Sequence, residues 1–91
     1  MATGPPRYRV ILSHTARKQL AALPRDVQGR IGPALVALAD DPRPHGSQKL
    51  QGSSGEYRIR VGEYRVIYAV DDDDLLVGVV RVAHRRDVYR P

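Results

Sequence analysis

EYRIRVGEYRVIYAVDDDDLLVGVVRVAH, residues 56–84, is the stretch on which the fold turns. It contains the strand-like runs EYRIRV, EYRVIYAV and LLVGVVRVAH, with tight hairpins at Val61-Gly62-Glu63 and at the aspartates 71–74. Strict alternation in the first run places Tyr57, Ile59 and Val61 on one side and Glu56, Arg58 and Arg60 on the other. In the second run Tyr64, Val66, Tyr68 and Val70 share a side, leaving Arg65, Ile67 and Ala69 opposite. Connections this short admit only hairpins, so the three strands are predicted to be antiparallel neighbours. The third run is apolar on both sides through residues 75–80, which predicts a central strand buried between layers. The sheet then has one face of tyrosine and aliphatic side chains and another carrying Arg58, Arg60 and Arg65. No structural need sets such cations together, because they repel and none can shed its charge.

Upstream of that stretch the pattern changes period. YRVILSH reads as a strand from about Tyr8 to Leu12, and Ser13 or Thr15 can cap a following helix by accepting from a free backbone amide. Ala16, Leu20 and Leu23 fall at helical spacing. Pro24 ends that helix and suits the opening of the next, whose Val27, Ile31, Ala34, Leu35 and Leu38 make one apolar side. Pro33 removes the hydrogen bond to the Gly29 carbonyl and predicts a kink there. Residues 40–55 have loop composition, with Leu50 as an anchor, and residues 1–6 read as a flexible leader. The expected architecture is α+β, in βααβββ order, a mainly antiparallel sheet with a helical hairpin packed on one face. Residues 7–91 make a single domain, since 91 residues have interior for one core only.

The chain has no cysteine, which excludes disulfides, thiolate chemistry and Cys-based zinc sites. Its His14, His45 and His84 lack metal-ligand spacing, and four adjacent aspartates do not supply the spaced ligands of a calcium loop, so neither a metal ion nor a cofactor is expected. That acidic turn reads as solvated. All five aromatics are tyrosines, of which Tyr57, Tyr64 and Tyr68 are expected in the core with their hydroxyls in water. The start has no apolar signal core and no run approaches a membrane span, so the expected address is the cytoplasm. A net charge of +5 favours an anionic partner such as nucleic acid.

The motifs KLQG (residues 49–52), YRIRV (57–61), GEYRVIY (62–68) and HRRDVY (84–89), in that order, resemble the RelE/ParE superfamily of toxin–antitoxin toxins, and its RelE branch most. The resemblance covers about residues 7–90. It implies a RelE-like microbial RNase fold and a type II toxin that cuts mRNA on the ribosome without a metal, held inactive by a RelB-like antitoxin. Operator DNA would be met only through that antitoxin. The chemistry can be stated apart from the family. If a 2′-hydroxyl attacks the adjacent phosphate, the site must supply a base, positive charge for the phosphorane, and an acid for the leaving 5′ oxygen. Such a reaction spares DNA, which lacks the nucleophile.

The resemblance assigns Arg65 to phosphate and transition-state charge, Arg85 to the leaving oxygen, and Tyr89 to stacking on a base or orienting the hydroxyl. Arg58 and Arg60 stand where the best-known members have lysines credited with proton abstraction. A guanidinium is a poor base, so both are assigned to binding the RNA backbone, with Lys49 and Arg86 beside them. His84 becomes the candidate base, with Glu56 and Glu63 behind it. A ParE-like gyrase inhibitor and a catalytically silent nucleic-acid-binding partner of an antitoxin remain as alternative functions.

Overall fold

A two-residue turn sets the register of the whole sheet. In the computed structural model, which describes residues 7–52 and 55–86, β3 (Glu56–Val61) and β4 (Tyr64–Asp71) pair antiparallel with Val61 opposite Tyr64. Only Gly62 and Glu63 lie between them, and Gly62 takes φ +62°, the positive value that a two-residue hairpin demands at this position and that glycine adopts without a steric cost. From there the pairing runs Arg60 with Arg65, Ile59 with Val66, Arg58 with Ile67, and Tyr57 with Tyr68. The alternation expected from the sequence is therefore realised strand against strand.

β5 (Leu76–His84) pairs antiparallel with the other edge of β4, and β1 (Arg9–Leu12) joins β5 in parallel. A two-residue strand, β2 (Gln48–Lys49), extends the far edge beside β3, within what reads in sequence as loop. The order is β1-β5-β4-β3-β2. Between β1 and β2 the chain forms α1 (His14–Ala21) and α2 (Arg25–Ala37). The Ser13 hydroxyl accepts from the Ala16 amide at 3.0 Å, supplying the cap at the start of α1. Pro24 stands at the N-cap of α2, and that helix continues through Pro33 on its exposed side.

The helices cover one face of the sheet only. Ala16, Val27, Ile31, Leu35 and Leu38 meet Ile59, Val66, Tyr68, Val77, Val79 and Val82 there. This corrects the expectation that the last strand lies between two layers. Val80 is 39% exposed, so the second apolar side of β5 faces the uncovered side of the sheet. Tyr68 departs from expectation as well. Its hydroxyl is buried and donates to the Pro42 carbonyl at 2.7 Å, and burial pushes its pKa up to about 12.

The aspartate turn between β4 and β5 is more than a solvated loop. Asp71 Oδ1 accepts from the amides of Asp73 and Asp74 and so shapes the turn. Asp72 receives the Arg43 fork at 2.7 and 3.3 Å and the Tyr8 hydroxyl at 2.7 Å. Arg43 also donates to the Tyr57 hydroxyl at 3.0 Å. The clasp joins Tyr8 just before β1, the loop after α2, β3 and the turn at one end of the sheet.

Candidate functional site

The uncovered face of the sheet is where the arginines gather. Arg60 and Arg65 are directly opposed across β3 and β4, and Arg58 follows one step along on the same face, beside Ile67. Arg65 is only 5% exposed, the one charged side chain among the buried described residues. A guanidinium keeps its charge even there, so β4 holds a fixed cation in a low-dielectric setting. Arg58 donates to the Gln48 side chain on β2.

A β-bulge decides what β5 adds. Val66 faces Val82 and Tyr68 faces Val79, so between these pairs β5 carries one residue more than β4. Val77 and Val79 point into the core, and unbroken alternation would send Arg81 after them and His84 to the open side. With the bulge, Val82 takes the core position, and Arg81 comes to lie opposite Ile67 on the open face. The side chain of Gln19 on α1 accepts from the Val82 amide at 2.7 Å, holding β5 immediately after the irregularity. Leu50, Gln51, Glu56, Arg58, Ile67, Val80 and Arg81 line a hollow of about 530 Å³ on this face. Sequence reasoning missed Arg81. The signal was there as an arginine at a nominal core step of an otherwise apolar strand.

The same bulge moves His84 the other way, off the face that carries Arg65. Ala83, not His84, is opposite Arg65, and His84 is paired with Tyr64 on the helix-covered face. Its ring meets that of Tyr64 edge-on, with centroids 5.4 Å apart, and its Nδ1 accepts from the Arg86 amide at 3.3 Å. Lys49 is likewise paired with Tyr57 rather than with Arg58. Arg85 stands at the rim, its Nε 2.9 Å from Glu63 Oε1 and its amide bonded to the Glu63 carbonyl. Both side chains of that pair are more than 60% exposed, so it is an open surface contact of small worth. Arg86 is exposed next to it, and Tyr89 lies outside the described residues.

A cationic, partly apolar sheet face on a small helix-backed scaffold can be compared with known proteins. The sequence model of the family described as ParE toxin of type II toxin-antitoxin system, parDE, matches residues 10–89. Toxin RelG of Mycobacterium tuberculosis is 34% identical over 84 residues, covering 91% of this chain and 97% of the relative. The chain belongs to the RelE/ParE toxin superfamily. Solved RelE structures share the fold. The archaeal RelE–RelB complex from Pyrococcus horikoshii superimposes with a TM-score of 0.78 at 31% identity, over 87% of this chain and 96% of that one. The RelBE2 toxin–antitoxin complex of M. tuberculosis gives 0.77 at 30% identity, over 89% and 100%. The protein is thus a RelE-like toxin of a type II toxin–antitoxin system. Among its described residues no group of His, Asp or Glu is disposed to hold a metal ion, and no helix is long and apolar enough to cross a membrane.

Proposed function

We propose that this toxin is a ribosome-dependent, metal-independent mRNA endonuclease that inhibits translation, cutting by attack of a 2′-hydroxyl on the adjacent phosphate. The observation that carries the reading is the opposed pair Arg60 and Arg65, with Arg65 almost wholly buried. Like charges facing each other across strands repel, and an anion held between them removes the repulsion. A scissile phosphate gains negative charge as the phosphorane forms. A cation fixed beforehand out of water, as Arg65 is, stabilises that change more than it stabilises the ground state. Arg58 and Arg81 continue the cationic path along the same face and hold the RNA backbone. Arg85 at the rim exchanges its Glu63 contact for the leaving oxygen, and Tyr89 and Arg86 contribute from the tail. His84 has no part in proton transfer.

The partner is a RelB-like antitoxin, as in the named RelE–RelB complex, binding through acidic and apolar residues that cover the open face; operator DNA is met only through it. The site of action is the cytoplasm, where the ribosomes are. A gyrase-directed activity has the ParE name of the family model in its favour. Arg65 on the open face favours message cleavage, because a phosphorane needs a fixed cation for its developing charge and the binding of gyrase does not.

The test is to add purified toxin to programmed ribosomes and map cuts by primer extension. Arg65→Ala should lose at least about a hundredfold in single-turnover rate. A 2′-deoxy nucleotide on the 5′ side of the cut should abolish cleavage. Cleavage that persists with either change would remove the mechanism, and intact messages with the wild-type toxin would remove the activity.

A further inference from the structure

Arg85, assigned above to the leaving oxygen, is already engaged with a carboxylate of its own chain. Its Nε lies 2.9 Å from Glu63 Oε1. The pairing of β4 with β5 ends at Tyr64 and His84, and the bond of 2.8 Å from the Arg85 amide to the Glu63 carbonyl carries the ladder one rung further. Side chains alternate along paired strands, so this rung returns to the open face, where Arg65 and Ala83 stand opposed two residues back. Glu63 therefore sets an acid about 7 Å along the strand from Arg65, at the end of the face that holds the Arg60–Arg65 pair.

The turn that carries Glu63 has little room to shift. Gly62 takes φ +62°, and a Cβ there would lie 3.4 Å from Arg30 Nη1, so α2 closes over the turn from the other side. A carboxylate held beside a phosphate site repels the RNA backbone. To a guanidinium, however, it presents what a phosphate presents, a pair of anionic oxygens.

We propose that Glu63 is a built-in competitor for the message: in the RNA-free toxin its carboxylate holds Arg85 as a phosphate would, and RNA engages Arg85 only by displacing it. The proposal rests on the role given to Arg85 in the message-cleaving reading above. Glu63 acts through Arg85 and touches no reacting atom, so it is a positioning residue. The openness of the contact suits it to this part. With both side chains more than 60% exposed the pair is weak, and a phosphate gripped by two N–H groups displaces it. The cost falls on binding and not on the chemical step, because Arg85 is clear of Glu63 once the RNA is seated. Glu63 thus sets a threshold, which RNA held in place by other contacts crosses more readily than a stray strand.

A cycle of Glu63→Gln and Arg85→Ala, alone and combined, tests this in two assays. Gln keeps the size of the side chain and removes its charge. In fluorescence anisotropy with a short 2′-O-methyl RNA, which cannot be cut, Glu63→Gln should tighten binding about threefold, the effect expected of an exposed ion pair. In the Arg85→Ala background the same change should leave affinity within about 1.5-fold. On programmed ribosomes, in single turnover, Glu63→Gln should lower the toxin concentration for half-maximal rate by the factor seen in binding and leave the maximal rate unchanged. Loss of a merely structural residue would not tighten binding. No tightening in Glu63→Gln overturns the proposal, and so does equal tightening with and without Arg85, which would reduce Glu63 to a distant repulsive charge. A lower maximal rate at unchanged half-saturation also overturns it, since Glu63 would then serve the chemical step. Tightening that depends on Arg85, without any cut on the ribosome, would sink the nuclease reading and leave the competitor standing.

Discussion

His84 shows how a single side chain can be assigned by chemistry and reassigned by register. An imidazole is chemically able to act as a base, but this ring packs edge-on against Tyr64. His84→Gln is therefore expected to leave the pH–rate profile of cleavage unchanged; a profile that loses a limb near neutral pH would restore the residue to the mechanism. Tyr68 makes the complementary case, a titratable group whose burial is structural. Its exposure is 0%, its hydroxyl is spent on Pro42, and its pKa stands at about 12 against an ordinary 10.0. Because the folded form holds the proton more tightly, this stabilisation is whole below pH 10 and drains away as pH rises through about 12. The difference is worth roughly 3 kcal/mol, so alkaline unfolding should steepen in that window. Tyr68→Phe should flatten the alkaline limb while costing about 1 kcal/mol at neutral pH, the Pro42 carbonyl having lost its donor. An alkaline limb identical in the two proteins would show that another group carries it.

At the scale of elements, the hairpin of β3 and β4 was legible because its turn is short and its alternation is unbroken, which put Arg58, Arg60 and Arg65 on one face; the register adds that Arg60 and Arg65 stand directly opposed. The helices were legible from period and from Ser13 and Pro24. What escaped was every feature set from outside its own segment. Two residues, Gln48 and Lys49, cannot display a period of two, so β2 read as loop. The parallel pairing of β1 with β5 joins residues more than sixty apart, such as Arg9 and Leu76, and leaves no local trace. The bulge in β5 shifts phase by one residue, and that slip brought Arg81 into the hollow and took His84 out of it. The aspartate turn hid its role because Arg43, its partner, lies 29 residues upstream. Arg43 first and Tyr8 second hold the Asp72 carboxyl below its usual range. The contribution of the clasp is then present above the ordinary carboxylate pKa and fades as pH falls through the lowered one. Asp72→Asn should lower the thermal midpoint at pH 7, with the gap to wild type closing on acidification. A gap that stays constant down to pH 2 would show that the charge of Asp72 is not what the turn uses.

For the whole molecule, the division between its two faces matters more than its net charge of +5. One face of the sheet is closed by helices and supplies the core; the other is left open, and on it Arg58, Arg60, Arg65 and Arg81 share a surface with few acids. Arg43 shows the contrast, since its fork is committed to Asp72 at the end of the sheet. If the open face binds RNA through phosphates, each engaged arginine releases counterions, and affinity for a single strand falls with salt by a log–log slope of about 0.7 per contact. Wild-type binding to an uncleavable 2′-O-methyl RNA should therefore weaken steeply between 50 and 200 mM salt. Arg58→Ala, Arg60→Ala and Arg81→Ala should each reduce the slope by about 0.7, and the triple variant by about 2. Arg43→Ala removes the same charge from the molecule but not from the face, and should leave the slope alone. Were Arg43→Ala to change the slope as much as the others, attraction would depend on total charge rather than on this surface, and the open face would lose its claim as the place where the message lies.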